Sequence, residues 1–156
     1  MTPAQQTALE SVAGRALTED DIAAIDPLLP GRQDIQIAAV LSAGQPKIQR
    51  SLTVEEMYET LFFSGDYLPL KQAQLAGNAL AVMCFSILLD AKQIGPGTVN
   101  LSAPATSALL QQLIGAALLT QAGFDALIAR SMVEAPAIHY NSVSDALNVA
   151  EGRLML

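Results

Sequence analysis

Thr53-Val54-Glu55-Glu56-Met57-Tyr58-Glu59-Thr60-Leu61-Phe62 decides the fold class. Thr53 with Glu56 three residues on is a capping box, in which each side chain satisfies the other's free backbone N–H. Val54, Met57, Tyr58, Leu61 and Phe62 then recur at i, i+3, i+4, i+7 and i+8, the spacing of one helix face. Ser64-Gly65 ends the helix. Glu55, Glu56 and Glu59 read as its solvated side and not as general acids.

The same signals recur upstream. Thr2-Pro3 starts a helix that Gly14 ends. Thr18 caps a second helix, with Glu19, Asp20 and Asp21 in its first turn, where the helix dipole favours acids. That role, and the lack of an Asp-x-Asp-x-Asp-Gly pattern, argue against a calcium loop. Its apolar face is Ile22, Ile25 and Leu29. Pro27 kinks it, and Pro30-Gly31 closes it. Asp34 is placed to cap a third helix carrying Ile37, Val40 and Leu41 up to Gly44. Lys47 to Leu52 shows no helical repeat and reads as an extended linker or one edge strand.

Downstream the chain turns apolar. A helix from about Tyr67 reaches Ala76, breaks at Gly77-Asn78 and resumes to about Lys92. Ala79–Leu89 is apolar on every side except Ser86, which predicts a helix surrounded by protein. It is about half the length of a membrane span. Gly95-Pro96-Gly97 is a turn and lacks the Gly-Lys-Ser/Thr of a phosphate loop. Ser102-Ala103-Pro104 opens a helix to about Thr120, with Ser107, Gln111 and Gly115 as its small or polar strip. Gln121-Ala122-Gly123 reads as a turn and Phe124–Met132 as a short helix. After Pro136, Asn141 or Ser142 is placed to cap a last helix through Ala150, and Gly152 releases an Arg-Leu-Met-Leu tail.

No alternation is long enough for a sheet. The expected fold is all-α: a helical bundle with an N-terminal three-helix annex and a short extended linker. The expected organisation is an acidic helical region over 1–44, a linker over 45–52, and an apolar helical core with its C-terminal helix and tail over 53–156.

Composition narrows the function. Of 156 residues, 51% are hydrophobic and 15% charged, against roughly 25% charged in ordinary globular proteins. Eight Lys and Arg face fifteen Asp and Glu, a net charge of −7, which disfavours phosphate binding through a basic face. The helix pair around Gln121–Gly123 offers only Arg130 to a base, so DNA reading is not expected. One cysteine excludes a Cys-rich zinc site or an intrachain disulfide. Cys84 and His139 are the only thiol–imidazole combination, and Val82-Met83-Cys84-Phe85 predicts a buried, inert thiol. Ser42, Ser64 and Ser144 lack Gly-x-Ser-x-Gly surroundings. No catalytic residue, metal ligand or cofactor is expected, no membrane partner, and no signal peptide at the N-terminus.

Charge is unevenly placed. Ten of the fifteen acids lie at or before Asp66, whereas Tyr67–Val133 holds only Lys71, Asp90, Lys92, Asp125 and Arg130. Two coverings of that apolar segment are open: the chain's own acidic helices, or other copies or another protein. The candidate interface residues are Leu109, Leu113, Leu118, Phe124 and Leu127.

Two stretches carry a resemblance. Leu17–Leu29 (Leu-Thr-Glu-Asp-Asp-Ile-Ala-Ala-Ile-Asp-Pro-Leu-Leu), with Gly31–Gly44 (Gly-Arg-Gln-Asp-Ile-Gln-Ile-Ala-Ala-Val-Leu-Ser-Ala-Gly), is one. Val143–Arg153 (Val-Ser-Asp-Ala-Leu-Asn-Val-Ala-Glu-Gly-Arg) is the other. Together they resemble small proteins encoded among the structural and tail genes of tailed bacteriophages and prophages, most without an assigned role. The middle, Leu75-Ala-Gly-Asn-Ala-Leu and Gly95-Pro-Gly, matches more loosely. The resemblance implies a non-enzymatic virion component, a head–tail connector or tail-associated protein, whose partners are other phage structural proteins or copies of itself. It would be assembled in the bacterial cytoplasm. The alternative is a non-virion phage accessory protein, such as an acidic inhibitor of a host defence system, for which the charge of −7 speaks.

Overall fold

The structure, a computed structural model, describes residues 1–153. It is predominantly helical, with nine α-helices and four two-residue strands among the described residues. The elements run α1 (Pro3–Ala13), α2 (Glu19–Ile25), a 3₁₀ turn (Asp26–Leu28), α3 (Asp34–Ala43), β1 (Ile48–Gln49), β2 (Leu52–Thr53), α4 (Val54–Ser64), α5 (Tyr67–Leu75), α6 (Ala79–Gln93), β3 (Thr98–Val99), α7 (Pro104–Gly115), α8 (Gln121–Ser131), β4 (Met132–Val133) and α9 (Tyr140–Ala150). The last three residues of the Arg-Leu-Met-Leu tail lie outside the described residues.

Local chemistry sets most of the boundaries. Thr2, Thr18 and Thr53 each close a capping box on the helix that follows. Gly65 ends α4 at φ 83°, a left-handed conformation that suits glycine, and its N–H donates to the carbonyls of Leu61 and Phe62. Asn78 caps α6 with its side-chain oxygen, which turns the chain by 109° between α5 and α6. Among the described residues no single helix is long and apolar enough to cross a membrane. α5 and α6 together pass for length and composition, but only as this bent pair.

Several boundaries differ from the sequence reading. α3 begins with Asp34 as its first residue, without a side-chain cap. α7 stops at Gly115, because Ala117 takes φ 57° and its N–H turns back to the Ile114 carbonyl. Gln121-Ala122-Gly123 is the first turn of α8, capped by Thr120, not a connection. The cap of α9 is His139, whose Nδ1 accepts from the Asn141 N–H, in place of Asn141 or Ser142. The linker region forms two antiparallel ladders: Ile48 and Gln49 pair with Val133 and Met132, and Leu52 and Thr53 pair with Val99 and Thr98. Such ladders have no hydrophobic alternation to announce them, since two residues span a single period.

The chain divides into two compact units. One is Ile48–Val133. Its core joins Leu52, Met57, Leu61, Leu70, Phe85, Leu88, Leu113 and Leu127, with α4 packed on α5 and α8, and α6 packed on α5 and α7. The other is Met1–Lys47 together with the chain after Val133. There α9 packs on α1 and α3, and Val143 and Leu147 are fully buried with Leu9, Ile25, Ile37 and Leu41. Grouping by position in the sequence puts the last helix with residues 53–156. It packs instead with α1 and α3, because its Val143/Leu147 stripe completes their apolar faces.

In this second unit Arg32 ties α3 to α9. Its guanidinium donates to Asp34, Asn148, Glu151 and the Ser144 carbonyl. The unit carries nine acids against four bases, and Ile48–Val133 carries six against four, so most of the net charge of −7 belongs to the former.

Candidate interaction surface

The surface rises from α4, α5, α6 and α8 of the Ile48–Val133 unit. Arg50 starts the scaffold. Its guanidinium holds both oxygens of Glu56 at 2.7 and 2.8 Å while the Thr53 N–H donates to the same carboxylate. The Arg50 contact, then the Thr53 bond, hold the Glu56 carboxyl down at about 2. α4 then buries Val54, Met57, Thr60 and Leu61. The sequence template places Phe62 on that stripe. It stands about 100° around the helix from Leu61, and the structure leaves it 62% exposed, with Phe63 78% exposed.

Both phenyl rings belong to an aromatic cluster. Tyr58 stacks on Phe85 with centroids 6.3 Å apart, and Tyr67 meets Tyr58 and Phe85 edge-on at 6.0 Å. Phe62 joins through Tyr67 at 6.4 Å, and Phe63 through Phe62 at 6.1 Å. Lys71 Nζ sits 4.7 Å over the Phe85 ring, a cation–π contact. Phe63 is a ridge between two clefts. One, of about 340 Å³, is lined by Tyr58, Glu59, Phe62, Phe63 and Tyr67. The other, of about 410 Å³, is lined by Thr60, Phe63, Ser64, Ala122, Ala126 and Arg130.

A buried carboxylate fixes the second cleft. Asp66, 3% exposed, accepts from the Thr120 N–H at 2.9 Å, the Thr120 hydroxyl at 3.0 Å and the Ser64 hydroxyl at 2.6 Å. A Cβ on Gly123 would lie 1.9 Å from Asp66 Oδ2. Glycine at 123 therefore lets α8 come down onto the α4–α5 turn, which sets Ala122 and Ala126 beside Phe63. Reading Gln121–Gly123 as a turn hides this contact, because a glycine that admits a neighbour looks like a glycine that ends a helix.

α6 supplies a second apolar face. Ala81, Cys84, Phe85 and Leu88 point inward and are buried. Val82, Met83 and Leu89 are 43%, 53% and 49% exposed, with Ser86 among them. Of the two coverings left open for this segment, the chain's own helices do not complete the first among the described residues: one side of α6 remains partly exposed.

The five residues singled out from sequence lie elsewhere. Leu109, Leu113 and Leu127 are buried, while Leu118 and Phe124 are half-buried against the same core. They are inward-facing residues of α7, of the turn after it (Leu118) and of α8, packed on the core of this unit. Leucine content marks an apolar segment, but which leucines remain outside depends on packing partners distant in sequence.

Other candidates are placed without a chemical role. Burial pushes the Cys84 thiol up to about 11. His139 is occupied as a helix cap. Among the described residues no three His, Cys, Asp or Glu side chains converge as metal ligands. An open cleft in the unit containing α1 is lined by residues including Arg32, Glu151, Asp26 and Arg153, and its Arg32 is already engaged by carboxylates.

Comparison with protein-family models, curated proteins and solved structures gave no match to the chain.

Proposed function

We propose that the chain is a non-enzymatic structural protein of a tailed phage, a helical-bundle virion component at the head–tail connection or in the tail, acting through protein–protein assembly. The observation that carries the assembly reading is α6: a helix apolar nearly all round whose Val82, Met83 and Leu89 remain about half exposed. Apolar surface of this kind gains roughly 25 cal/mol per Å² when removed from water. Phe62 and Phe63 extend the same demand to α4. The phage assignment rests on the resemblance of Leu17–Gly44 and Val143–Arg153.

The alternative of an acidic inhibitor draws on the charged unit. Three of its acids, Asp21, Asp34 and Glu151, are bound by Arg15 and Arg32, which takes three charges away from any acidic stripe that would imitate a phosphate backbone. Mass spectrometry of purified particles tests the reading. A virion component is present at fixed copy number after density-gradient purification. Its absence from particles, with the protein abundant in the infected-cell lysate, would rule the virion role out.

A further inference from the structure

We propose that the Phe63 ridge is the contact of a two-fold pair of copies of this chain, a partner choice that deepens the assembly reading and rests on it. A two-fold contact requires one patch to be its own complement. This patch meets that requirement in shape. Phe63, 78% exposed, is a projecting ring flanked by clefts of about 340 and 410 Å³. A phenyl ring from one copy is therefore set against an open cleft on the other, and the two-fold axis repeats the contact.

The patch is also its own complement in charge. Glu59 lines the first cleft and Arg130 the second, and the two are ion-paired across the ridge with side chains 51% and 36% exposed. Two molecules of net charge −7 repel in general, but this patch carries one charge of each sign. In a two-fold contact the two intrachain pairs lie head to tail, so that Glu59 of each copy also meets Arg130 of the other. The two exposed rings leave on the order of 200–350 Å² of aromatic surface. That is enough for the apolar centre of an interface of about 800 Å² per partner. The Ala122–Ala126 wall is small and flat, which lets a ring approach the α8 backbone.

The test is sedimentation of the full chain from micromolar to near-millimolar concentration. A reversible dimer is expected, and Phe63→Glu should weaken it by about 30-fold or more, the scale of a central aromatic anchor, with the far-UV circular dichroism unchanged. Should Phe63→Glu not fold, Phe63→Gln is read in its place. A charge exchange gives the two-fold geometry its own readout. Glu59→Arg alone and Arg130→Glu alone place like charges across the axis and should each be monomeric. When the two variants are mixed, the arginines of one face the glutamates of the other at both contacts, and they should pair as a heterodimer. A wild-type chain that stays monomeric at near-millimolar concentration overturns the proposal. So does a dimer insensitive to Phe63, or a wild-type dimer whose two charge variants do not pair when mixed. None of these outcomes touches the virion reading, which is decided by the content of particles.

Discussion

Gly123 and Asp66 show how one missing Cβ shapes a surface. With Asp66 Oδ2 where a side chain would begin, Gly123→Ala must push the carboxylate off Thr120 or lift α8. The expected cost is about 1–3 kcal/mol, as for other overpacked or unsatisfied buried sites. Gly115→Ala, with nothing within 4 Å of the added Cβ, should leave stability level or raise it by up to about 1 kcal/mol. Urea unfolding of the two variants separates packing from helix propensity. A second residue-scale outcome concerns Asp21. The hydrogen bond from Arg15, helped by the Thr18 N–H and hydroxyl, outweighs burial and lowers its carboxyl to about 2. The unfolded carboxyl titrates near 4. Its stabilising contribution is thus present above about pH 4 and lost as pH falls toward 2. Asp21→Asn should lower the urea midpoint at neutral pH and flatten its decline across that acid window. A wild-type-like slope in the variant would place the acid sensitivity elsewhere.

At the scale of elements, α6 offers the sharpest contrast because adjacent leucines have opposite fates. Leu88 is 1% exposed and Leu89 49% exposed. Leu88→Ala should cost about 2–5 kcal/mol, as core truncations do, and Leu89→Ala should stay within about 0.5 kcal/mol. Equal costs, measured by thermal unfolding of the isolated protein, would mean that the outer face is covered after all. The sequence made the existence of these helices legible because Thr2, Thr18, Thr53 and Gly65 act within one turn of themselves. It made the facing of α6 illegible, since an all-apolar stretch has no polar side to orient it. The half-exposed Phe62 is the same difficulty in miniature: its spacing fits the buried stripe, and only the position of Tyr67 and Phe85 shows that it stands at the edge. The Asp66–Thr120 clasp joins residues 54 apart. No local pattern announces such a bond.

For the whole molecule, the informative feature is the interruption of one unit by the other. Ile48–Val133 has its own core and a two-residue ladder joining its two ends, so this fragment expressed alone should be helical and unfold cooperatively. A fragment with the helix content of an unfolded chain by circular dichroism would count against that division. The membership of α9 was not legible in the sequence, because Val143 and Leu147 form an ordinary amphipathic stripe that fits any apolar partner. Only the fold shows that the partner is α1 and α3.

The β1–β4 ladder has a consequence for synthesis. α1, α2 and α3 leave the ribosome before the insert, yet the helix that completes their core is made only after all of it. Closing a long unstructured loop to bring α9 home carries an entropic cost that grows with its length. Pairing Ile48 with Val133 holds entry and exit side by side, so once the insert has folded the loop is effectively short. Order of birth and order of folding are therefore expected to differ: the insert should mature before the unit that surrounds it.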